Sequence, residues 1–441
     1  MDVVLINSPL YDTDHPVAIY ADPPALGLGY IGTALSDRGH NVKLVDAVAE
    51  GLSVGALLRE IEISSPDVIG TNVFSTNLPL VERIVSGACQ TSQILVGGPA
   101  AGPLCDQILT WQARSPLKVV IGEAEHAVPA LLEETPTLER RGGTPERAVL
   151  RIDSKSPWFP ASIDLPLDRS LFLHDPIFEP HWGLLESHIV TSRGCGYDCA
   201  FCGAARSANI NQKIRFRSEQ HIANELDNIR ALHPRVDCIR VLDDLFLRNP
   251  KVIEYAAKLF ATRNLRWRAM AHVAGLARAP ERVYQVLAAS GCLELFVGVE
   301  SGSPSRRAAI GKQIDLAPTL RVVNGLLKTG ISVKAYFIFG FPGETEDEMR
   351  ATHALATEMA EYASHTTGRF RTSAFKFRPY HGTRLYKELI ASGVSPSPIY
   401  EDRELTNLKA GRAYDFTSDN FSAVPTYRVD QFIANILGLN S

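Results

Sequence analysis

Short apolar runs rich in β-branched residues, spaced a helix apart, recur along the first 135 residues: V-V-L-I from Val3, V-K-L-V-D from Val42, D-V-I-G-T-N-V from Asp67, I-L-V-G-G-P from Ile94 and V-V-I-G-E from Val119. The intervals carry amphipathic patterns, such as A-L-G-L-G-Y-I-G-T-A-L from Ala25 and L-P-L-V-E-R-I-V from Leu78. Strands that are apolar along their whole length belong to parallel sheets covered on both faces, with helices as the crossovers. The pattern predicts an α/β fold that begins with a doubly wound, Rossmann-like domain over residues 1–138.

Periodicity then fades through T-L-E-R-R-G-G-T-P-E-R and P-W-F-P-A-S-I-D-L-P-L-D, a composition suited to a surface linker over residues 139–185. A second alternation starts at Glu186. Its strand candidates are S-H-I-V-T, C-I-R-V-L-D-D, R-W-R-A-M-A-H-V, E-L-F-V-G-V-E-S, V-K-A-Y-F-I-F-G and S-A-F-K-F-R-P-Y, with five helical segments between them. Thr345 and Glu348 have the spacing of a capping box at the start of one of those helices. Six strands with five helices predict a partial (β/α)6 barrel over residues 186–385, in which chemistry collects on loops at the carboxyl ends of the strands. Residues 386–441 are expected to form a small C-terminal segment acting as a lid.

The chain has 49 acidic and 45 basic side chains and a net charge of -4, with no block of one sign, so it is expected to bind neither nucleic acid nor an anionic membrane surface. The opening M-D-V-V-L-I-N-S-P lacks the basic and apolar regions of a signal peptide, and no segment reaches eighteen uninterrupted apolar residues, which predicts a cytoplasmic protein. In that reducing compartment a disulfide framework is not expected. Yet three of the seven cysteines are crowded into S-R-G-C-G-Y-D-C-A-F-C-G from Ser192, directly after the first barrel strand. Three thiolates can hold three irons of a 4Fe-4S cube and leave the fourth open to an external ligand. Zinc is the competing reading, but it favours paired C-x2-C motifs with a fourth Cys or His, and the nearest histidines, His188 and His221, fall on a predicted strand and helix. Cys89, Cys105, Cys238 and Cys292 stand singly in apolar surroundings and are expected to be buried and inert.

The segment C-G-Y-D-C-A-F-C resembles the C-x3-C-x2-C signature of the radical S-adenosylmethionine (SAM) enzymes, including the aromatic Phe201 before the last cysteine. The resemblance implies that Cys195, Cys199 and Cys202 hold a 4Fe-4S cluster, that SAM chelates the open iron, and that an electron splits it into methionine and a 5'-deoxyadenosyl radical. V-G-V-E-S-G-S from Val297 resembles the fourth-strand segment that contacts SAM, which places Gly298, Glu300 and Ser301 there, with Glu300 near the ribose. I-F-G-F-P-G-E-T resembles the fifth-strand segment near the adenine, placing Ile338 and Gly340, and P-Y-H-G-T from Pro379 resembles the end of strand six. Where many relatives carry Gly-Gly-Glu at the end of strand two, this chain has Leu242, Asp243 and Asp244, so Asp243 or Asp244 is expected to receive the SAM amino group. Arg268 on strand three either binds the SAM carboxylate or sits solvated on the rim.

In the first domain, G-L-G-Y-I-G from Gly27 is formally G-x-G-x-x-G, and Asp46 ends the next strand as a ribose-binding acid would. A dinucleotide fingerprint needs its first glycine in the turn right after the first strand. Here about twenty residues intervene, with prolines at 9, 16, 23 and 24, so the glycines are expected within a helix, where they allow close packing. The region instead resembles the cobalamin-binding domain attached to many radical SAM enzymes, on P-P-A-L-G-L-G-Y-I-G-T-A-L, P-D-V-I-G-T-N-V-F-S-T-N, I-L-V-G-G-P and V-I-G-E-A-E. That resemblance implies that Asn72, Ser75 and Thr76 lie near the corrin or its nucleotide tail. It also implies that Gly97, Gly98 and Pro99 offer the tail a surface poor in side chains, and that Gly122 and Glu123 complete the pocket. The D-x-H-x-x-G sequence that supplies a cobalt ligand in many cobalamin proteins is absent, and His15 in D-T-D-H-P-V has the wrong spacing. The cobalt is therefore expected to lack a protein imidazole, its lower face shielded by Phe74 or Tyr11.

Together the resemblances imply a cobalamin-dependent C-methyltransferase for an unactivated carbon of a small metabolite, in natural-product or antibiotic biosynthesis. One SAM would methylate reduced cobalamin and a second would be cleaved, with an external one-electron reductant such as flavodoxin or ferredoxin. A rearrangement, ring contraction or cyclisation without methyl transfer is the alternative, and a non-catalytic cobalamin sensor a third. Methylthiotransferases acting on transfer RNA would need a second cysteine set and a basic tail, and neither is present.

Overall fold

Five parallel strands and the helices between them build the first half: β1 (Asp2–Asn7), α1 (Leu26–Ser36), β2 (Asn41–Asp46), α2 (Val54–Ser64), β3 (Val68–Asn72), α3 (Leu78–Gly87), β4 (Gln93–Gly97), α4 (Cys105–Ile108), β5 (Leu117–Ile121) and α5 (Ala127–Glu133). The computed structural model describes residues 1–10, 23–91, 93–133, 139–140, 146–209, 212–312, 314–397, 399–401 and 416–440; Tyr11 and His15 lie outside them. Successive side chains face opposite sides of the sheet. Val4, Ile6, Ile69, Val96 and Val119 pack with residues of α2, α3 and α4, while Val3, Leu5, Val68, Leu95 and Val120 pack with α1 and α5. Both faces are thus buried, which is why each strand reads as a continuous apolar run.

The sheet order is β2-β1-β3-β4-β5-β7-β6, and it extends past residue 138. Within the expected linker, β6 (Glu139–Arg140) and β7 (Arg147–Arg151) join the sheet, with β7 parallel to β5 and Ala148, Val149 and Leu150 buried. The arginines flanking that short apolar core hide it from a reading of periodicity. The glycines of α1 lie in the helix: a Cβ at Gly29 would meet the Phe172 ring at 2.2 Å, and one at Gly32 would meet Leu171 at 3.0 Å. They admit side chains of the connecting segment, which is pinned on both sides. The Asp168 amide donates to Thr33 Oγ1 (2.8 Å), and the buried Arg169 guanidinium donates to the His188 carbonyl (2.8 Å) and to Glu225 (2.6 Å).

The second sheet contains β8 (Ile177–Glu179) and β9 (Leu184–Ile189), followed by a ribbon of β10 (Ser192–Arg193) and β11 (Arg215–Phe216), then α6 (Glu219–Leu232), β12 (Cys238–Val241), α7 (Pro250–Ala261) and β13 (Arg266–Ala271). It continues through α8 (Val273–Ala277), α9 (Arg282–Ala289), β14 (Cys292–Glu300), α10 (Pro304–Ala309), α11 (Leu316–Lys328), β15 (Ser332–Phe339), α12 (Glu346–Ala363) and β16 (Phe370–Lys376). The sheet order is β16-β15-β14-β13-β12-β9-β8. Its six consecutive parallel strands stay open between β16 and the antiparallel edge strand β8, giving the partial (β/α)6 barrel. Residues such as Ile239, Trp267, Leu295 and Phe337 pack outward against the helices, and the capping box of Thr345 and Glu348 starts α12. The residues between them along each strand face the lumen. In β15, buried Val333, Ala335 and Phe337 alternate with partly open Lys334, Tyr336 and Ile338.

The C-terminal segment holds α13 (Arg384–Ala391), a ribbon of β17 (Tyr400–Glu401) with β18 (Phe416–Thr417), and α14 (Thr426–Leu437). Helix α14 buries Val429, Phe432 and Ile436, and Thr372 Oγ1 of β16 donates to its Ile436 carbonyl at 2.7 Å. It covers the outer side of the last barrel strand, the place of a sixth barrel helix, which corrects the expectation of a lid for this helix. Among the described residues no helix is long and apolar enough to cross a membrane.

Candidate functional site

The cysteine loop is fastened to three other strand ends. The Ala200 amide donates to the Ile310 carbonyl beyond β14 (2.9 Å), and the Leu385 amide beyond β16 donates to the Ala200 carbonyl (3.0 Å). Beyond β13, the His272 ring stacks on Tyr197 with centroids 3.7 Å apart. Cys195, Cys199 and Cys202 are each partly exposed, whereas Cys105, Cys238 and Cys292 are buried and Cys89 is half-buried. Burial pushes the Cys202 thiol up to about 12 and raises those of Cys195 and Cys199, and the three act on one another electrostatically. His188 and His221 lie within β9 and α6, as expected.

Asp243 and Asp244 divide sharply. Asp243, 2 % exposed, accepts from the Thr191 amide (2.6 Å), from Thr191 Oγ1 (2.6 Å) and from Ser192 Oγ, so its carboxylate is spent on holding the end of β9. That corrects its reading as a ligand contact. Asp244 is exposed, and desolvation by the surrounding protein raises its pKa. The Gly194 backbone donates to it, and Arg248 lies nearby.

Glu300 closes β14 at a register shift with φ +66°, a left-handed conformation that a non-glycine residue adopts only under constraint. Such local strain collects at functional sites. Its carboxylate accepts from Lys312 at 3.1 Å, and a Cβ at Gly298 would meet that carboxylate at 2.2 Å, so the glycine makes room for the pair. Ser301 is turned away: its hydroxyl bonds Thr352 (3.1 Å) and accepts from the Ser303 amide (3.1 Å), which corrects its placement at the site. Ile338 faces the lumen and packs in one cluster with Phe201, whose ring lies 5.7 Å from that of Phe341. Gly340 has φ +82°, and its amide donates to Glu344 (2.7 Å), whose pKa burial raises to about 7.

Arg268 is neither a rim residue nor solvated. It is 3 % exposed on the amino-terminal half of β13 and donates to Glu186 (2.7 Å) and to Glu294 (3.0 and 2.8 Å). The cysteine loop lies at the opposite ends of the strands.

In the first domain a cavity of about 700 Å³ opens at the carboxyl ends of β1, β3, β4 and β5. The strand order 2-1-3-4-5 reverses between β1 and β3, the crevice where doubly wound sheets bind ligands. Asn72, Phe74, Thr76, Gly97, Gly98, Pro99, Gly122 and Glu123 all line it, and Phe74 is 38 % exposed. Ser75 does not; its hydroxyl contacts His381 beyond β16 (3.0 Å), so it fastens the domains together. Asn72 donates to Asn7 (3.0 Å) and Asn7 to Asp46 (2.9 Å), while the buried Asn72 Oδ1 and Thr71 Oγ1 have no partner among the described residues.

Glu123 accepts from Arg193 (2.8 Å) and is paired with Arg215, and Arg193 also pairs with Glu125. Arg193 and Leu242 complete the cavity wall. Arg193 lies two residues before Cys195, and Leu242 directly precedes the aspartates, so the cavity and the cysteine loop share one wall. Sequence reasoning missed Arg193, Arg215, Arg248, Lys312 and His381. Only Arg193, inside the cysteine motif, and His381, inside P-Y-H-G-T, stood in segments already singled out.

Comparison with models of known families matches residues 17–132 to the B12 binding domain and residues 189–356 to the Radical SAM superfamily. The chain carries a B12-binding domain followed by a radical SAM domain. It is 25% identical over 405 residues to an uncharacterized methyltransferase of Pyrococcus horikoshii, covering 89% of this chain and 84% of that one. It is 24% identical over 457 residues to the cytidylyl-2-hydroxyethylphosphonate methyltransferase of Streptomyces wedmorensis, covering 89% and 82%. Among solved structures its fold is similar to that of the cobalamin-dependent S-adenosylmethionine radical enzyme OxsB with aqua-cobalamin and S-adenosylmethionine bound, with TM-score 0.64 and 16% identity over 98% of this chain and 66% of that chain. The radical SAM domain marks the chain as an enzyme and implies a 4Fe-4S cluster and SAM, and the B12-binding domain implies cobalamin. The residues present fit these groups. The cysteine loop offers three partly open thiols, whose protons a bound metal would displace. The B12-binding domain offers a glycine-lined cavity with an acceptor at Asn72 that has no partner among the described residues.

Proposed function

We propose that this radical SAM protein is a cobalamin-dependent C-methyltransferase acting on an unactivated carbon of a small metabolite in the cytoplasm, supplied by an external one-electron reductant. When bound, the cluster and SAM supply a carbon-centred radical and cobalamin supplies the methyl group. Cys195, Cys199 and Cys202 hold the cluster. Asp244 receives the SAM amino group, the Glu300–Lys312 pair orients the ribose, and Ile338, Gly340 and Phe201 form the apolar seat of the adenine. Asn72, Thr71 and the glycines of the cavity hold the corrin and its tail, with Phe74 against one face. The corrin-holding unit runs to Arg151 and the barrel unit from Ile177 to the C-terminal helix, with the pinned segment between them fixing their spacing.

One observation carries this reading: the cavity wall includes Arg193 and Leu242, which stand two residues before Cys195 and Asp244 respectively. A methyl donor and a substrate radical must meet in one water-poor space, and positioning is the protein's contribution. The test is anaerobic turnover of the reconstituted chain with SAM, cobalamin, a reductant and candidate metabolites. Methyl transfer predicts a product heavier by one methylene, with S-adenosylhomocysteine and 5'-deoxyadenosine formed in equal amounts. A product of unchanged mass with 5'-deoxyadenosine alone would overturn it in favour of rearrangement.

A further inference from the structure

The lumen below the cysteine loop is lined by charge. From β9 to β16 the inward residues include Glu186, Arg240, Arg268, Glu294, Lys334 and Arg371. Glu294 is held by Arg268 (2.8 Å) and Arg371 (2.8 Å), and Glu186 by Arg268 (2.7 Å) through one oxygen, while its other oxygen has no hydrogen-bond partner among the described residues. Glu179 of β8 lies 3.7 Å from Arg268. Arg240 and Lys334 make no ion pair within 4 Å and no hydrogen bond among the described residues; Glu186 and Glu294 act on them only at longer range, and each lies against an aromatic ring. The Arg240 guanidinium lies 5.0 Å from the Phe296 ring centroid, and Lys334 Nζ lies 5.7 Å from that of Tyr336. Phe296, Tyr336 and Phe375 continue as a row of rings with centroids 6.4 and 6.2 Å apart.

Partly buried cations are ordinarily paired, because desolvation without a counter-charge is costly. Here both keep partial solvent access on the inner face of the barrel. Lys334 precedes Ile338 by four residues on β15, which at about 3.3 Å per residue puts its Cα about 13 Å below the rim where the adenine seat is proposed. A molecule lying between would present its reactive carbon upward and its far end to the cations.

We propose that the barrel lumen receives an oxyanionic group of the substrate, phosphoryl, phosphonyl or carboxylate, between Arg240 and Lys334, with the aromatic row flanking the rest of the molecule. This rests on the reading of the lumen as the substrate chamber of a radical SAM enzyme. Arg240 offers a planar fork to such a group and Lys334 a point charge. Lys334 is faced by Arg371, Arg240, Arg268 and Glu294, and burial with these cations lowers its pKa to about 8, so an arriving anion relieves a net positive field.

The experiment is calorimetric titration of the full chain with sulfate, phosphate or acetate, on wild type, Arg240→Gln, Lys334→Met and, as a surface control, Lys43→Gln. Saturable binding of at least one anion is expected, weakened at least about tenfold by each lumen variant and unchanged in the control. Preference for sulfate and phosphate assigns a phosphoryl or phosphonyl group, and preference for acetate assigns a carboxylate. Sulfate, which does not titrate in this range, should also bind wild type more weakly as pH rises through 8 and beyond, a readout independent of how the variants fold. No saturable binding by any of the three at tens of millimolar, equal affinity in the lumen variants, or equal loss in the control overturns the inference. SAM cleavage, assayed separately on reconstituted protein, isolates the failures: intact cleavage without anion binding sinks only this inference, and anion binding without cleavage sinks only the functional reading.

Discussion

Replacing Lys334 by methionine is expected to stabilise the barrel at neutral pH. Burial, reinforced by Arg371, Arg240 and Arg268, lowers the Lys334 pKa from 10.5 to about 8. At about 1.4 kcal/mol per unit, holding the ammonium charged in the folded chain at pH 7 costs about 3 kcal/mol relative to the unfolded chain. Lys334 keeps some access to lumen water, so a gain of about 1–3 kcal/mol is expected from Lys334→Met, which keeps the volume and removes the charge. For a base whose folded pKa is depressed, the cost is complete below pH 8, shrinks as the folded form loses its proton, and vanishes near 10.5, where the unfolded form loses it too. The assay is urea unfolding at pH 7 and at pH 10, followed by the fluorescence of Trp267 and Trp182, which lie in the barrel core and beside the lumen arginines. The stability difference between variant and wild type should narrow by most of its value between the two pH values. A variant less stable than wild type at pH 7, or a gain independent of pH, would refute the reasoning.

Asp243→Asn should lower barrel stability by about 1–3 kcal/mol, because the amide group cannot accept all three hydrogen bonds from Thr191 and Ser192, whereas Asp244→Asn should leave stability unchanged and weaken SAM binding; equilibrium dialysis with thermal melts separates the two. Gly97→Val should keep the fold and weaken cobalamin binding at least about tenfold, because a Cβ there meets nothing nearer than the Val120 carbonyl at 3.6 Å and the side chain enters the cavity. Gly98→Ala should instead destabilise the domain by about 2 kcal/mol, since the residue has φ +107° and its Cβ would lie 2.8 Å from the Val73 carbonyl oxygen.

The strands and the chemistry-bearing loops could be read from the chain because period and composition are local. The runs at Val3, Val42, Asp67, Ile94 and Val119 are strands β1 to β5, and the six later runs are the six parallel barrel strands. What escaped depends on tertiary pairing. β7 has only three buried residues between arginines, too short for a periodic signal. Asp243 and Asp244 are adjacent and chemically identical, and only the position of Thr191 and Ser192 decides which one is consumed. Arg268 looked like a rim residue because a sequence does not say at which height in a barrel a side chain meets its partners, and Glu186 and Glu294 lie 82 and 26 residues away. The cavity wall of Arg193 and Leu242 is likewise a product of domain docking, with no local signature.

The central claim is that the cysteine loop and the glycine-lined cavity share one reaction space. A crystal structure of the chain reconstituted without oxygen, with SAM and hydroxocobalamin bound, tests it most directly. The account predicts a four-iron cube on Cys195, Cys199 and Cys202, SAM against Asp244 and Glu300, and a corrin in the cavity over Asn72 and Phe74 with one face turned toward the barrel. Iron bound elsewhere, or a corrin seated away from the wall of Arg193 and Leu242, would contradict it.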